Sequence, residues 1–414
     1  MTSNRVAFWT LGVVLGVLLF AASAPSPVYV LYQAAWHLSP ATMTGVFAIY
    51  AVALLVALVF AGSLSDQVGR RPVVFAALVV QLAAMVLFAL AGGVGALFVA
   101  RVLQGTATGV ATGAISAWLL DLQPPRGARL GALVGSTAPA VGLAVGALGS
   151  GLLVQYAPAP THLIFWLMAG AFAAAAVSVL AIPETVAATP NWATALRPHA
   201  GVPREVRGLF VAIAPSMAAF WALSGLYLSL GPSLAISLLH AGNRLTGGLV
   251  IAALTGSGAL ASVLTRTWTP RRAMLGGSLA LVVGVAATLA ALHSGSIALF
   301  FAGSVVAGLG FGPAFSGAFR ALTAEAPGTG RAAVVAAIYV TSYLAFSLPT
   351  VAAGFGATSL GLLRTSDIYG VTVIVLALGA MIAFALRHTP RPVPHHEPTP
   401  CPGTVPPCPQ LNPA

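Results

Sequence analysis

The sequence predicts an all-α membrane protein with about twelve transmembrane helices, arranged as two halves of six helices. Three observations lead to this fold class: the composition, the number and length of the apolar runs, and an internal repeat. Of the 414 residues, 58% are hydrophobic and only 6% are charged, whereas a soluble domain has about 25% charged residues. Since so few charges cannot keep a soluble surface hydrated, the lipid bilayer is the expected solvent.

Twelve apolar runs follow one another along the chain, and each is long enough to cross about 30 Å of hydrocarbon as a helix. The runs lie near residues 8–32, 44–64, 72–91, 95–119, 130–154, 161–182, 208–238, 244–264, 273–292, 296–319, 332–357 and 368–386.

The basic residues, all of them arginine, alternate between the two sides of the predicted bundle. The even-numbered connections and the two termini hold Arg5, Arg70, Arg71, Arg126, Arg129, Arg197, Arg204, Arg207, Arg266, Arg271, Arg272, Arg320, Arg331, Arg387 and Arg391. The odd-numbered connections hold only Arg244 and Arg364. The positive-inside rule therefore predicts an even number of spans with both termini in the cytoplasm. Because topology accounts for the net charge of +11, no nucleic-acid partner is expected.

The chain repeats itself at an offset of about 200 residues. LFVA at 97–100 returns as LFFA at 299–302, and the two adjacent arginines at 70–71 return at 271–272. The repeat predicts six-helix bundles at 1–182 and 208–387, joined by a cytoplasmic linker at 183–207. Parallel halves of six spans, related about the membrane normal, are a transporter architecture.

The remaining residues, 388–414, form a Pro-rich tail that is predicted to be disordered. The tail contains both cysteines, Cys401 and Cys408, together with His395 and His396. These side chains do not have a regular metal-ligand spacing, so neither a metal nor another cofactor is expected.

The loop between the second and third predicted helices combines small and charged residues, and residues 62–72 read GSLSDQVGRRP. Gly62 allows the second helix to approach a neighbour closely, and Gly69 permits a tight turn. The loop resembles the GxLSDRxGRR loop of the major facilitator superfamily and has the same place in the topology. Gln67 departs from this pattern, because the family usually has Arg or Lys there.

The resemblance implies that this loop helps to latch the two halves in the outward-facing state. Asp66 would lie beside the positive N-terminal end of the eleventh helix. Arg70 would pair with Asp121, which ends the fourth helix on the same face, and Arg71 completes the motif. Gln67 removes one charge from this network. The alternative is that these charges only anchor the loop in water.

The fourth predicted helix contains RVLQGTATG, which looks like the RxxQGxG pattern of the same family. Arg101 lies well inside the span, where an arginine costs at least about 2.5–3.5 kcal/mol, and such residues usually face a cavity. In the family this arginine is linked to proton coupling or to anionic groups of the substrate, and Gln104 belongs to the same pattern. The alternative is that the Arg101 side chain extends to the headgroups.

The fifth predicted helix reads GALVGSTAPAVGLAVGALG and resembles the antiporter motif GxxxGPxxGG through Gly135, Pro139 and Gly142. Pro139 interrupts the backbone hydrogen bonds and allows a bend, while the glycines form a close-packing face. Ala138 and Leu143 stand where the family has glycine. The resemblance favours export, and the alternative is an ordinary Gly-rich membrane helix.

Four further side chains are candidates for the substrate path: Tyr29 and Gln33 at the end of the first helix, and Trp221 and Tyr227 on the seventh. The family resemblance implies that the first, fourth, seventh and tenth helices face this path. Tyrosine and tryptophan also form belts at membrane interfaces, which is the alternative interpretation.

The chain has no Walker A loop, so ATP hydrolysis on this chain is not expected. No carboxylate lies in the middle of a predicted span, although proton coupling commonly uses one. Asp66, Asp121 and Arg101 remain as candidates for the coupling.

Three functional hypotheses follow, and all assume a monomer in the plasma membrane. The first is proton-linked export of a small, largely apolar organic compound, with protons as the coupling ion. The second is an importer or facilitator of a sugar or a small organic acid on the same fold. The third is a non-transporting receptor or membrane enzyme, which the absence of a soluble catalytic or signalling domain disfavours.

Overall fold

The computed structural model describes residues 4–62, 64–124, 130–187, 201–239, 242–326 and 331–386. The regular secondary structure in these ranges is helical. Twelve of the described helices are long and apolar enough to cross a membrane, so the predicted number of spans is confirmed. The predicted runs differ from the observed helices by a few residues at most ends.

We number the spanning helices α1 to α12 in chain order. Their bounds are Asn4–Trp36, Pro40–Ala61, Arg70–Ala89, Val94–Asp121, Leu130–Tyr156, Leu163–Leu180, Arg204–Ser229, Leu245–Leu264, Pro270–Ser294, Ile297–Glu325, Arg331–Ser359 and Leu362–Ala385. Two short helices, Leu64–Val68 and Gly231–Ser237, lie between spans.

Local sequence signals determine where several spans begin. Ser39 caps α2 by accepting a hydrogen bond from the Thr42 backbone N–H at 3.1 Å, and Pro40 occupies the first helical position, where no N–H is needed. Thr269 and Pro270 repeat this arrangement at the start of α9, where Thr269 accepts a hydrogen bond from the Arg272 backbone N–H at 3.3 Å. A hydroxyl cap followed by proline therefore begins one span in each half.

The first span consists of two helices, Asn4–Ser23 and Pro25–Trp36. Prolines occur at the first and third positions of the second helix. Because proline has no backbone N–H, Pro25 leaves the carbonyl oxygen of Ala21 without its partner four residues ahead. This oxygen becomes an acceptor for side chains of other helices.

Small residues allow the helices of each half to approach one another closely. A Cβ added at Gly109 of α4 would lie 2.6 Å from the Leu54 carbonyl oxygen of α2, and one added at Gly277 of α9 would lie 2.6 Å from the Gly310 carbonyl oxygen of α10. Such contacts between small residues are the main way in which helices associate in lipid. Each half therefore forms a closely packed bundle around its own apolar core.

The odd-numbered connections reach one face of the bundle and the even-numbered connections reach the other. We call the face with the described residues Arg71, Arg207, Arg266 and Arg271 the Arg-rich face, and the face with Arg244 and Arg364 the Arg-poor face.

The two halves are joined by hydrogen bonds at the Arg-poor face. The Arg244 N–H donates to Gln155 Oε1 at 2.8 Å, and the Ala41 N–H donates to Thr358 Oγ1 at 3.3 Å. One helical turn further from this face, Gly354 of α11 lies directly against Thr44 of α2. The halves are thus closed against each other on this side.

Candidate functional site

Arg101 lies in the interior of the first half and is 0% exposed, so it does not reach the headgroups. Its Nε donates to the Tyr29 hydroxyl at 2.5 Å. Its Nη1 donates to Gln104 Oε1 at 2.7 Å and to the Ala22 carbonyl oxygen at 3.1 Å. The structure therefore brings three of the predicted path residues, Arg101, Gln104 and Tyr29, into one cluster.

Aromatic rings complete the surroundings of the guanidinium. The Arg101 Cζ lies 5.3 Å from the ring centroids of Tyr29 and Tyr50, 5.7 Å from that of Phe88 and 5.8 Å from that of Phe47. Neutral oxygens and ring faces thus hold the cation. The Nη2 atom is buried without a hydrogen-bond partner in the described part of the chain, so one donor group is available for a ligand or a water molecule.

The break in α1 supplies acceptors to this cluster. Gln104 Nε2 donates at 2.8 Å to the Ala21 carbonyl oxygen, which Pro25 leaves without a helical partner. This bond fixes the Gln104 amide so that its oxygen points at Arg101. The role of Pro25 was not predicted. A proline inside a membrane helix does indicate, however, that the carbonyl oxygen four residues before it has no backbone partner.

The second half contributes an aromatic cluster, which we call the aromatic shelf. It consists of Trp221, Phe311, Phe315, Tyr343 and Phe346, from α7, α10 and α11. The Trp221 ring lies between 5.6 and 5.9 Å, centroid to centroid, from each of the other four rings. Trp221 was predicted as a path residue, whereas its four neighbours were not.

The other two predicted path residues lie outside these clusters. Gln33 accepts a hydrogen bond from Ser233 at 3.3 Å, so it joins the two halves at the Arg-poor face. Tyr227 is buried inside the second half, where its hydroxyl lies 3.0 Å from Ser304 Oγ. Tyr227 is therefore part of the packing of its own bundle and does not contact Arg101.

The motif loop between α2 and α3 forms a charge network at the Arg-rich face. The Arg70 guanidinium pairs with the Asp66 carboxylate, its Nε lies 3.3 Å from Asp121 Oδ2, and its Nη1 donates to Ser65 Oγ at 2.7 Å. Arg70 is itself buried, whereas Arg71 is exposed. Gly62 follows the last residue of α2 and lies near α4. A Cβ added at Gly113 of α4 would lie 3.9 Å from the Gly62 carbonyl oxygen.

Glu184, just after α6, is a member of this network that the sequence did not indicate. Its Oε1 accepts from the Arg70 N–H at 2.9 Å, and its Oε2 accepts from the Arg71 N–H at 2.8 Å. A carboxylate thus caps the N-terminal end of α3, where unpaired N–H groups and the helix dipole favour a negative charge. The next residue, Thr185, donates to Asp121 Oδ2 at 2.9 Å.

Gly69 is required at the start of α3 for two reasons. Its φ of 110° is a conformation that other residues rarely adopt. A Cβ there would also lie 2.8 Å from Glu184 Oε2. The glycine of the motif therefore makes room for the carboxylate that caps the helix.

Substitution of Glu184 by glutamine is expected to destabilise this corner of the protein by about 1–2 kcal/mol, because a neutral amide caps the helix less well than a carboxylate. The measurement is the Tm of the purified carrier, together with the rate of tryptic cleavage between α6 and α7. Glu325→Gln is the control, since Glu325 is exposed and lies at the C-terminal end of α10, where no helix N-terminus is capped. Equal Tm values for the two variants would contradict the capping role.

The fifth-helix motif places its residues in different surroundings. Pro139 lies inside α5. Gly142 packs directly on the Gly16 backbone of α1, whereas a Cβ on Gly135 would meet nothing within 4 Å. The motif therefore combines one close helix contact with a proline and an uncrowded glycine.

The described residues contain no group of three His, Cys, Asp or Glu side chains that could hold a metal ion. The tail residues His395, His396, Cys401 and Cys408 lie outside the described ranges.

Twelve spans in two similar halves, with a charge network at one face and an aromatic-lined region between the halves, are the features of a membrane carrier. The chain belongs to the major facilitator superfamily, whose family model matches residues 11–348. The protein is accordingly a multi-pass integral membrane protein and a secondary transporter. A search of curated protein sequences gives no match.

Solved structures share the fold at low sequence identity. A peptide transporter POT, a point mutant in complex with sulfate, is 17% identical with a TM-score of 0.75, over 91% of this chain and 94% of that one. A bacterial homologue of the human lysosomal transporter Spinster is 14% identical with a TM-score of 0.73, over 92% and 97%. A mutant of the nucleoside transporter NupG is 14% identical with a TM-score of 0.70, over 91% and 100%.

Proposed function

We propose that this carrier exports a small, largely apolar organic compound in exchange for protons, as a monomer in the plasma membrane. The strongest support is the composition of the region between the halves. The aromatic shelf contributes apolar rings to it, and the charged side chain nearest to these rings is the buried Arg101. A strongly polar substrate would lose its hydration against these rings without sufficient replacement.

The proposed orientation places the Arg-rich face and both termini in the cytoplasm, following the distribution of arginines. The proposed units are the bundles 1–182 and 208–387, the linker 183–207 and the tail 388–414. Closure of the halves at the Arg-poor face would then correspond to a carrier that opens toward the cytoplasm.

The motif loop is proposed to stabilise the opposite, outward-facing state. The network of Asp66, Arg70, Asp121 and Glu184 fixes the geometry of the loop at the Arg-rich face. When the halves close on that face, Asp66 would approach the N-terminal end of α11 and interact with the helix dipole. Because Gln67 carries no charge, we expect this latch to be weaker than a latch with an additional arginine.

Proton coupling in this chain would need groups other than a carboxylate inside the membrane. The carboxylates of the described residues lie at the ends of the spans or in the connections. The proposed coupling groups are Arg101 with its partners Tyr29 and Gln104, and the pair Asp66 and Asp121 at the Arg-rich face.

The test is efflux from proteoliposomes with the carrier in a known orientation. Export of an apolar compound should accelerate when protons are supplied on the side that receives the compound, and a protonophore should remove this acceleration. The same rate with and without the proton gradient would refute the coupling. A substrate that accumulates in the opposite direction would refute export.

Import of a small organic acid on the same fold is a second candidate, because the unpartnered Arg101 Nη2 can donate to a carboxylate. This alternative predicts uptake of the acid into right-side-out vesicles, driven by its own gradient or by protons.

A further inference from the structure

Part of the aromatic shelf is exposed, and two of its rings are parallel. Trp221, Phe311, Phe315 and Tyr343 are each partly exposed, although they come from the interior faces of three helices. The Phe311 and Phe315 rings are nearly parallel, at 8°, and their centroids are 6.4 Å apart. A planar ligand can stack on such rings with a geometry that an aliphatic ligand cannot reproduce.

The shelf faces the Arg101 cluster across the boundary between the halves. The Phe346 ring lies 5.1 Å from the Phe47 ring of α2, centroid to centroid, and Phe47 borders the Arg101 guanidinium. Trp221 and Tyr343 pack against the same buried cluster, which contains both Phe47 and Phe346. A ligand on the shelf would therefore lie one side chain away from the cation.

Two buried polar atoms in this region have no hydrogen-bond partner in the described structure: Arg101 Nη2 and Trp221 Nε1. Both can only donate hydrogen bonds. A buried donor without a partner is costly, so a ligand that brings acceptors gains free energy by satisfying it. Described carboxylates that could receive a cationic ligand lie at the membrane faces instead.

We propose that the substrate is a flat aromatic compound that carries hydrogen-bond acceptors, either neutral or with one negative charge, and that organic cations bind poorly. This inference rests on the proposed function, because it takes the region between the halves as the substrate path. The aromatic shelf favours a substrate with an aromatic ring, and the N–H groups of Arg101 and Trp221 favour a substrate with hydrogen-bond acceptors.

The test compares three probes. The first is 2-naphthoate, the second is its fully saturated analogue decahydro-2-naphthoate, which has no aromatic ring, and the third is naphthylmethyltrimethylammonium, which keeps the ring but replaces the carboxylate with a cation. Binding to the purified full-length carrier in nanodiscs is measured by calorimetry and by the shift in Tm. We expect 2-naphthoate to bind at least about tenfold more tightly than either of the other probes.

Variants of Trp221 connect this preference to the shelf. Trp221→Leu should lower the affinity for 2-naphthoate about tenfold, and Trp221→Phe, which keeps a ring but loses the N–H, should lower it less. Trp166→Leu is the control, because Trp166 is exposed on α6. Equal binding of the saturated probe, preference for the cation, no binding of any probe, or no effect of Trp221→Leu would each overturn the inference.

Binding is measured without a proton gradient, so the two proposals can fail separately. Shelf-dependent binding of 2-naphthoate without gradient-driven export would leave the substrate class standing and refute proton-coupled export. Gradient-driven export of compounds that lack an aromatic ring, with no binding of 2-naphthoate, would refute the substrate class and leave proton-coupled export standing.

Discussion

Substitution of Arg101 by methionine is expected to lower the rate of transport about 100-fold, which corresponds to about 3 kcal/mol, without unfolding the protein. Methionine fills a similar volume but removes the charge, the bonds to Tyr29, Gln104 and Ala22, and the unpartnered Nη2. Because a buried arginine is unfavourable in a membrane helix, the Tm should stay the same or rise. Loss of transport with an unchanged or higher Tm separates a functional role from a structural one.

Arg101→Lys is the informative partner of this variant. Lysine retains the charge but not the planar fork that lets Arg101 contact three acceptors at once. We therefore expect a transport rate between those of the wild type and Arg101→Met. Initial rates in proteoliposomes and Tm values in the same lipid provide the measurement. Wild-type transport by Arg101→Met would show that the cation has no part in the mechanism.

Gly354→Ala should reduce transport at least about tenfold by preventing closure at the Arg-poor face. An added Cβ would overlap Thr44 Oγ1 and would lie 3.0 Å from the Ala41 Cα. Thr44 is fully buried and its Oγ1 donates to the Ala41 carbonyl oxygen at 3.0 Å, so it cannot easily move aside. The simplest relief is separation of α2 from α11, and packed interfaces of this kind resist even one extra methyl group.

A second substitution distinguishes this mechanism from misfolding. Thr44→Gly removes the two atoms closest to the new methyl group, Thr44 Oγ1 and Thr44 Cβ, so the double variant should regain transport. Gly379→Ala on α12 is the control, because a Cβ there meets nothing within 4 Å.

Closure itself can be followed with cysteines at positions 41 and 358, in a chain whose two tail cysteines are replaced. The Ala41 N–H and Thr358 Oγ1 are 3.3 Å apart in the closed arrangement. Crosslinking between them should fall in Gly354→Ala and recover in the double variant. Unchanged crosslinking in Gly354→Ala would contradict a role in closure.

Much of the fold could be predicted because membrane helices carry a strong local signal. Long apolar runs, flanking arginines and the capping pattern at Pro40 and Pro270 are all properties of neighbouring residues. The position of Arg101 inside a span was also readable, because a single charge in an apolar run stands out.

The partners of these residues could not be predicted, because they depend on how distant helices are rotated against each other. Glu184 follows an apolar run by a few residues and looks like an ordinary linker acid, yet it caps a helix that begins 114 positions earlier. Phe311 and Phe315 belong to an apolar helix, in which nothing distinguishes a shelf residue from one that faces lipid. Only the packing of α7, α10 and α11 shows which face they occupy.

The segment of the first span at the Arg-poor face contacts both Arg101 and the second half. Tyr29 binds Arg101 in the interior, and Gln33, four residues and about 6 Å further along the same helix, contacts Ser233 of the other half. Because both contacts belong to one short helical segment, displacing Tyr29 from the guanidinium is expected to strain the contact between the halves at the Arg-poor face. Binding of a ligand at Arg101 is therefore expected to be coupled to closure of the halves at the Arg-poor face. The coupling free energy is the same in both directions, so closure would change the affinity of Arg101 for the ligand by the same factor.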